Sequence, residues 1–384
     1  MLCATAHHDK DGNAAMADVS MTSRERVICA LRLREPDRVP IDFWVSRGLR
    51  HKLERDLNQS YESFLDAHDV DLRYIEGPTY IGPDLRKYPD GTDEDLWGVR
   101  RKHVVVPTTN DGIEHYAEVM QSPLADASDA ASVEAYAHWP SADWFDYSGI
   151  AQQCARIRRA GRAVVFMGDR LNRIAQLKPA MYLRGIEQIL VDMSLEPELA
   201  HAIIGRIRAF YKEYTERILT AADGLIDILL TGDDFGSQNG PLISPAMWRE
   251  FIEPGFREYI TIAKQHGARV VHHTCGSVRP LIPLMIDAGL DVLQSLQPEA
   301  ADMEAGALKA AYGDRLAFHG GISIQQTLPF GSPADIRREV EDRVRDLAPG
   351  GGYILCTAHN IQADTPVANV RALIEAYHRF GRKT

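Results

Sequence analysis

The stretch SPAMWREFIEPGFREYITIAKQHGARVVHHTCG, residues 244–276, shows the alternation that decides the fold of this chain. Ser244 is a typical helix cap, Pro245 suits the first helical turn and Gly267 suits the helix exit, so the first part predicts an amphipathic helix. The apolar, β-branched run that follows ends in two histidines and predicts a buried strand. A helix that leads directly into a buried strand is typical of α/β proteins.

The same alternation recurs along the chain. Further short apolar runs lie at 162–168, 225–232, 290–297, 316–321 and 352–358, with earlier ones at 38–45 and 71–77. Eight such runs separated by helical patterns predict an α/β fold, a (β/α)8 TIM barrel. The region near 78–160 reads as an insertion with a hairpin around Asn110-Asp111-Gly112. We expect a disordered N-terminal tail over residues 1–20 and a single domain over 21–384.

Composition excludes several classes of protein. The 384 residues carry a formal charge of −11, with 45% hydrophobic residues and no long basic run, so nucleic acid and anionic membrane surfaces are not expected partners. No run approaches the length that a membrane span needs. Five scattered cysteines do not form a disulfide framework, which favours a reduced, cytoplasmic location.

Polar residues gather where the predicted strands end. In barrels of this type the chemistry lies at that end. The strand-end residues are Asp169, Arg170, Asp233, Asp234, His273, Cys275, Gln294, Gln297, His319, Cys356 and His359.

Three of these residues suggest a metal site. His273 and Cys275 are two positions apart, so on a strand their side chains point the same way, and Cys356 ends the last predicted strand. One histidine and two cysteines suit Zn²⁺ and leave a fourth position for water or substrate, as in catalytic zinc sites. The alternative is that both cysteines are small core residues and His273 is a buried, hydrogen-bonded histidine. His272 and His359 are competing ligands.

The chain resembles the uroporphyrinogen decarboxylase superfamily over about residues 21–382. The resemblance rests on HTCG at 273–276, the distant strand-end cysteine, TGDDFGSQNGPLISPAMWREFIEPGFREYI at 231–260 and TSRERVICALRLREPDRVPIDFW at 22–44. The His-x-Cys and distant Cys resemble the zinc methyltransferases that work with corrinoid proteins, such as the methylcobamide:coenzyme M methyltransferases. This resemblance implies that His273, Cys275 and Cys356 bind zinc.

The decarboxylase branch carries two arginines in an Arg-Gln-Ala-Gly-Arg motif that grips the tetrapyrrole carboxylates. Here the sequence reads FWVSRGLRHK, so Arg47 matches the first arginine but Arg50 comes one residue early. Asp71 or Asp42 could stand for the branch's aspartate. We therefore favour a zinc methyltransferase that moves a methyl group between a small thiol, O-methyl or N-methyl compound and a corrinoid. The alternatives are a metal-free lyase acting on a tetrapyrrole or aromatic acid, and a non-catalytic corrinoid or porphyrin binder.

The remaining residues receive narrower predictions. Asp233, Asp234 and His319 are candidate catalytic residues, although the aspartates could also cap a loop and His319 could be structural. The candidate substrate-binding residues are Arg47, Gln294, Gln297, His359 and Asn360. Because the sequence has no Asp-x-His-x-x-Gly run, we expect the corrinoid to arrive on a separate protein. A homodimer is a further expectation from analogy.

Overall fold

The computed structural model describes residues 20–167 and 173–382. Residues 1–19 of the predicted tail and the strand-end residues Asp169 and Arg170 lie outside these ranges. In chain order the strands are β1 (Leu72–Tyr74), β2 (Thr79–Tyr80), β3 (Asp93–Glu94), β4 (Arg100–Pro107), β5 (Ile113–Gln121), β6 (Phe145–Asp146), β7 (Ala163–Phe166), β8 (Ile228–Gly232), β9 (Arg269–His273), β10 (Val292–Ser295), β11 (Ala317–Ile322) and β12 (Tyr353–Thr357).

Helices connect the parallel strands. They are α1 (Ser23–Leu31), α2 (Arg47–Leu57), α3 (Tyr61–Ala67), α4 (Ala130–Glu134), α5 (Ile150–Arg159), α6 (Leu177–Arg184), α7 (Ile186–Leu195), α8 (Pro197–Ala222), α9 (Pro245–Met247), α10 (Glu253–Gln265), α11 (Ile282–Asp287), α12 (Ala305–Tyr312), α13 (Thr327–Phe330), α14 (Pro333–Leu347) and α15 (Val367–Phe380). The predicted helix after Ser244 is present, with a π-helical turn between α9 and α10. Among the described helices, none has the length and apolar character needed to cross a bilayer.

Seven strands form one curled parallel sheet in the order β1-β7-β8-β9-β10-β11-β12. The order follows the chain, because each helical connection places the next strand beside the last. The register puts His273 of β9 opposite Gln294 of β10, and Gln294 opposite His319 of β11. Three polar side chains therefore lie side by side at one level of the sheet.

The eighth predicted strand, 38–45, is not a regular strand. It is an extended segment with parallel bridges at Ile41 to Leu355 and at Val45 to Ile361. The amide of Asp71 donates to the carbonyl of Ile41, so this segment contacts both edges of the curled sheet. Pro40 has no N–H to donate, which interrupts a regular ladder here. The α/β fold with a parallel sheet is therefore confirmed, but the sheet has seven strands and this extended segment in place of the eight strands of a complete (β/α)8 barrel.

The concave side of the sheet is filled with apolar side chains at its amino end. Val27 and Leu31 of α1 pack there against inward-facing residues of the strands, such as Val271 and Val292. This packing closes that end against solvent and leaves polar side chains at the carboxyl end, where the strands run out.

The insertion carries the predicted hairpin. β4 and β5 pair in antiparallel fashion, and Asn110 and Asp111 at the turn have φ of 57° and 55°, as a tight hairpin turn requires. The buried ammonium of Lys52 holds the turn against the loop that follows β12. It donates to the carbonyls of Asn110, Ala363 and Thr365 at 2.6, 3.0 and 3.1 Å.

Candidate metal centre and active site

His273 ends β9 with its ring buried and its two nitrogens in different surroundings. Nδ1 lies 3.0 Å from Oε1 of Gln294, and Nε2 lies 3.3 Å from Sγ of Cys275. The neighbouring His272 points the other way, where its Nδ1 lies 2.8 Å from the Thr231 hydroxyl. The strand alternation predicted this difference, and it removes His272 from the set of competing ligands.

Three potential metal ligands converge at the carboxyl end of the sheet. The donor atoms of His273, Cys275 and His359 all lie within 4.8 Å of one another. We call this set the donor cluster. The indole of Trp44 packs against it, with ring centroids 6.1 Å from His273 and 5.4 Å from His359.

Cys356 lies outside the donor cluster. It is fully buried in a second group with Asp42 and His319, whose ligand atoms also lie within 4.8 Å of one another. The reason is topological: β10 and β11 separate β9 from β12, and three strand spacings amount to about 14 Å along the sheet. A residue inside β12 does not reach His273, whereas His359, in the loop beyond it, reaches across the opening.

Burial controls the protonation of the donor cluster. Burial first, and the carboxylate of Asp234 second, raise the pKa of Cys275 to about 12. Burial also holds the pKa of His273 well below its usual value, helped by the positive charge of Arg173 and by His359. Without a metal, the thiol of Cys275 and the imidazole of His273 are therefore both neutral.

The two adjacent aspartates after β8 have different surroundings. Asp234 forms an ion pair with Lys178, its Oδ1 accepts from the amide of Cys275 at 3.3 Å, and it lies 3.8 Å from Nε2 of His273. Burial opposes its ionisation, but the ammonium of Lys178 and the hydrogen bond from the Cys275 amide outweigh that cost, so the pKa of Asp234 lies well below its ordinary value. This carboxylate is part of the site.

Asp233 instead caps a helix. Its carboxylate accepts from the backbone amides of Gln176, Leu177 and Lys178 at 2.6, 2.8 and 2.6 Å, at the start of α6. Burial raises its pKa to about 6 in spite of these three bonds. The capping interpretation that the sequence left open is the one that the structure favours for Asp233.

A cleft of about 1270 Å³ lies above the site, between the strand ends and the hairpin of β4 and β5. Of the predicted substrate-binding residues, Arg47, His359 and Asn360 line it. Gln294 and Gln297 are buried away from it, and Gln297 accepts from the amide of Gly276 at 3.1 Å. Further basic side chains lining the cleft are Arg50, His51, Arg101, His103, His115, Arg173 and Lys178.

His319, predicted as a catalytic residue, is buried behind the donor cluster. Its Nδ1 lies 2.9 Å from Nε2 of Gln294, and its Nε2 lies 2.9 Å from Oδ2 of Asp42. Asp42 also accepts from the hydroxyl of Tyr74 at 2.6 Å. His319 therefore contacts the site through other side chains.

Sequence reasoning gave no site role to Trp44, Lys178 or Tyr74. Trp44 stands two residues after Asp42 at the end of the extended segment, and that strand-end position is the signal that could have indicated it. Lys178 lies in the first turn of α6, and its pairing with Asp234 depends on tertiary structure alone.

Comparison with known proteins agrees with the resemblance seen in the sequence. The uroporphyrinogen decarboxylase (URO-D) family model matches residues 174–380, more than half of the chain. The chain belongs to this family. The matched part contains the whole donor cluster.

Relatives include both methyltransferases and decarboxylases. The chain is 27% identical over 197 residues to a methylated-thiol–coenzyme M methyltransferase of Methanosarcina mazei, covering 51% of this chain and 49% of that protein. It is 24% identical over 195 residues to a uroporphyrinogen decarboxylase of Coxiella burnetii, covering 49% of each chain. The chain thus spans about half the length of the curated relatives that it matches. A solved methyltransferase structure from Methanosarcina mazei superposes with a TM-score of 0.63 at 18% identity, covering 94% of this chain and 99% of that one, which shows a shared fold.

Proposed function

We propose that this protein is a zinc-dependent methyltransferase that moves a methyl group between a small substrate and a corrinoid carried by a separate protein. The observation that carries the proposal is the donor cluster, in which His273, Cys275 and His359 converge and His359 lines the cleft. The similarity to a methylated-thiol methyltransferase supports the reaction class. The small substrate and the corrinoid partner are taken from the sequence resemblance.

The donor set fits zinc. Two imidazole nitrogens and one sulfur are ligands that Zn²⁺ prefers, and three protein ligands leave the fourth tetrahedral position for a substrate. The buried thiol of Cys275 requires a nearby cation to ionise, because burial and Asp234 raise its pKa to about 12. Two of the three ligands in the sequence prediction, His273 and Cys275, belong to this set, and His359 takes the place predicted for Cys356.

When bound, zinc would supply a Lewis acid that keeps a substrate thiol as a thiolate or polarises a methyl-bearing oxygen or nitrogen. The residues of the chain position the reactants and exclude water. Trp44 covers one side of the donor cluster with an apolar ring. Asp234, paired with Lys178, accepts from the backbone amide of Cys275 and so holds the loop that carries the thiol.

The alternative is a carboxy-lyase, since the chain also matches decarboxylases of the family. A tetrapyrrole acid would require unpaired arginines that converge on its carboxylates. Arg50 instead pairs with Glu54 and lies over the ring of Tyr61. Arg47 lines the cleft at the start of α2 and is exposed. Because arginine and lysine outnumber glutamate in the cleft lining, an anionic substrate is compatible with either reaction, and metal content separates them.

The test is zinc per chain, measured by elemental analysis on purified wild type and on Cys275→Ala, His359→Ala and Cys356→Ala. We expect about one zinc in wild type and in Cys356→Ala, and loss of zinc from the other two variants. Cys356→Ala is the matched control, because it removes a buried thiol outside the donor cluster. Loss of zinc from Cys356→Ala but not from His359→Ala would restore the ligand set predicted from the sequence.

Turnover completes the test of the reaction. Wild type should transfer the methyl group of methylcobalamin to at least one member of a thiol panel, followed by the visible absorbance of the cobalamin, and Cys275→Ala should not. Wild type that binds no zinc and decarboxylates a tetrapyrrole acid would refute the methyltransferase proposal.

A further inference from the structure

A chain of hydrogen bonds leads from the donor cluster into the interior. It joins Nδ1 of His273 to Oε1 of Gln294 at 3.0 Å, Nε2 of Gln294 to Nδ1 of His319 at 2.9 Å, and Nε2 of His319 to Oδ2 of Asp42 at 2.9 Å. All four side chains are at most 1% exposed. We call these four residues the buried chain.

The backbone fixes this geometry. His273, Gln294 and His319 lie opposite one another on the neighbouring strands β9, β10 and β11. Asp42 comes from the extended segment that fills the eighth position of the sheet. No flexible loop supplies any of the four residues, so their relative positions are set by the sheet register.

Asp42 determines which group donates and which accepts in each hydrogen bond of the buried chain. A carboxylate only accepts hydrogen bonds, and Asp42 already accepts from the Tyr74 hydroxyl at 2.6 Å and from the Phe43 amide at 2.8 Å. Its contact with His319 therefore requires the proton of that imidazole on Nε2. Burial raises the pKa of Tyr74 well above its ordinary value, so Tyr74 remains a donor.

The donors and acceptors between His319 and the donor cluster follow from the orientation of Gln294. Nδ1 of His319 lies against Nε2 of Gln294, and because an amide NH2 only donates, Nδ1 accepts from it. The amide oxygen of Gln294 then faces His273, whose Nδ1 must donate to it. The remaining nitrogen of His273, Nε2, keeps its lone pair and faces Sγ of Cys275 at 3.3 Å.

We propose that Gln294, His319 and Asp42 are positioning residues that hold the proton of His273 on Nδ1 and so present its Nε2 lone pair to the metal position. A free histidine side chain prefers the opposite tautomer, with the proton on Nε2, and would have to give up that proton before Nε2 could bind a metal. The consequence for metal binding rests on the proposed function, whereas the position of the proton is a property of the metal-free protein.

The experiment reads the tautomer directly. Metal-free protein labelled with ¹⁵N in its histidines is examined by long-range ¹H–¹⁵N correlation, and His273 is assigned by comparison with His273→Gln. We expect a protonated Nδ1 and an unprotonated Nε2 in wild type. Gln294→Leu should shift the population towards a protonated Nε2. Asp42→Asn should yield a mixture, because an asparagine both donates and accepts and permits either direction.

Two further variants control for general disruption. Gln294→Glu keeps an acceptor for Nδ1 of His273 and should retain the wild-type tautomer. Gln297→Leu removes another buried glutamine, which lies just after β10. Its side chain accepts from the amide of Gly276 rather than from a histidine, so this variant should also leave the tautomer of His273 unchanged. These variants keep the test decisive if Gln294→Leu or Asp42→Asn fails to fold.

Zinc affinity, measured by chelator competition, is the second readout. Gln294→Leu and Asp42→Asn should weaken zinc binding by about 10–100-fold, as replacement of the partner of a ligand histidine typically does, while Gln297→Leu should stay near wild type. A wild-type His273 with its proton on Nε2, or a Gln294→Leu variant with an unchanged tautomer, would overturn the inference. Correct tautomers in a wild type that binds no zinc would support the proton position and refute the metal site.

Discussion

Replacement of Asp233 by alanine removes the one carboxylate that accepts three backbone amides at the start of α6. The three bonds, to the amides of Gln176, Leu177 and Lys178, are 2.6–2.8 Å long, and Asp233 is 2% exposed. The first amides of a helix have no partner within the helix. Here Asp233, more than fifty positions further along the chain, is the partner of these amides, so the hydrogen bonds also join the end of β8 to the start of α6.

The expected cost follows from the orphaned amides. A buried N–H without a partner costs about 1–3 kcal/mol, so Asp233→Ala should lower the free energy of unfolding by at least about 3 kcal/mol. Asp233→Asn keeps one acceptor oxygen and leaves one amide facing an NH2 group, so its cost should be about 1–3 kcal/mol. An exposed cap is the comparison: Ser332→Ala at the start of α14 should cost about 1 kcal/mol.

Urea unfolding followed by tryptophan fluorescence measures these differences, and zinc content and methyl transfer are measured on the folded protein of each variant. We expect Asp233→Asn to keep the activity of the folded fraction. The capping interpretation is refuted if Asp233→Ala unfolds within about 1 kcal/mol of wild type, below the cost of one orphaned amide. An Asp233→Asn variant with normal stability and no turnover would return Asp233 to the catalytic role considered from the sequence.

Three other changes should act at a distance from the donor cluster. Lys52→Met leaves three carbonyls without their donor, so limited proteolysis should cleave the β4–β5 hairpin before the remainder unfolds, whereas wild type should resist. In Gly112→Ala the new Cβ would lie 2.2 Å from the carbonyl oxygen of Ala363. We expect the KM for the substrate to rise while the zinc content stays at one per chain. An unchanged KM would contradict this prediction. Asp71 binds Arg26 and Arg38 at 2.6 Å each, so Asp71→Ala leaves two buried charges without their shared partner. The free energy of unfolding, measured in urea, should fall by about 3–5 kcal/mol. A smaller loss would show that water reaches these arginines.

The parallel sheet could be predicted from the sequence because its strands are short, continuously apolar and bounded by turns. β8, β9 and β12 each coincide with one of these runs. The segment 38–45 is also largely apolar, yet it pairs only through isolated bridges, at Arg38, Ile41 and Val45. A run of hydrophobic residues indicates that a segment is buried. It does not indicate whether the buried segment forms the full ladder of hydrogen bonds that defines a strand.

The donor cluster could be predicted only in part. The i, i+2 spacing of His273 and Cys275 places both side chains on one side of the backbone, whatever the rest of the fold does. The third donor depends on how far apart β9 and β12 lie around the curled sheet, and no local spacing encodes that distance. Likewise, Asp233 and Asp234 are adjacent in sequence, and only the position of α6 shows which one caps the helix and which one faces Cys275.

The hairpin of β4 and β5 lies entirely before residue 174, where the match to the URO-D family begins. It lines the cleft with residues such as His103 and Tyr116, while the matched part supplies the donor cluster. The hairpin meets the matched part through several hydrogen bonds, such as those of Asn110 with Asp364, Glu114 with Ala363 and Tyr116 with Gln362. Substrate choice could therefore diverge through exchange of the hairpin while the reaction centre is inherited unchanged, and a chimera that receives a relative's hairpin must preserve these contacts.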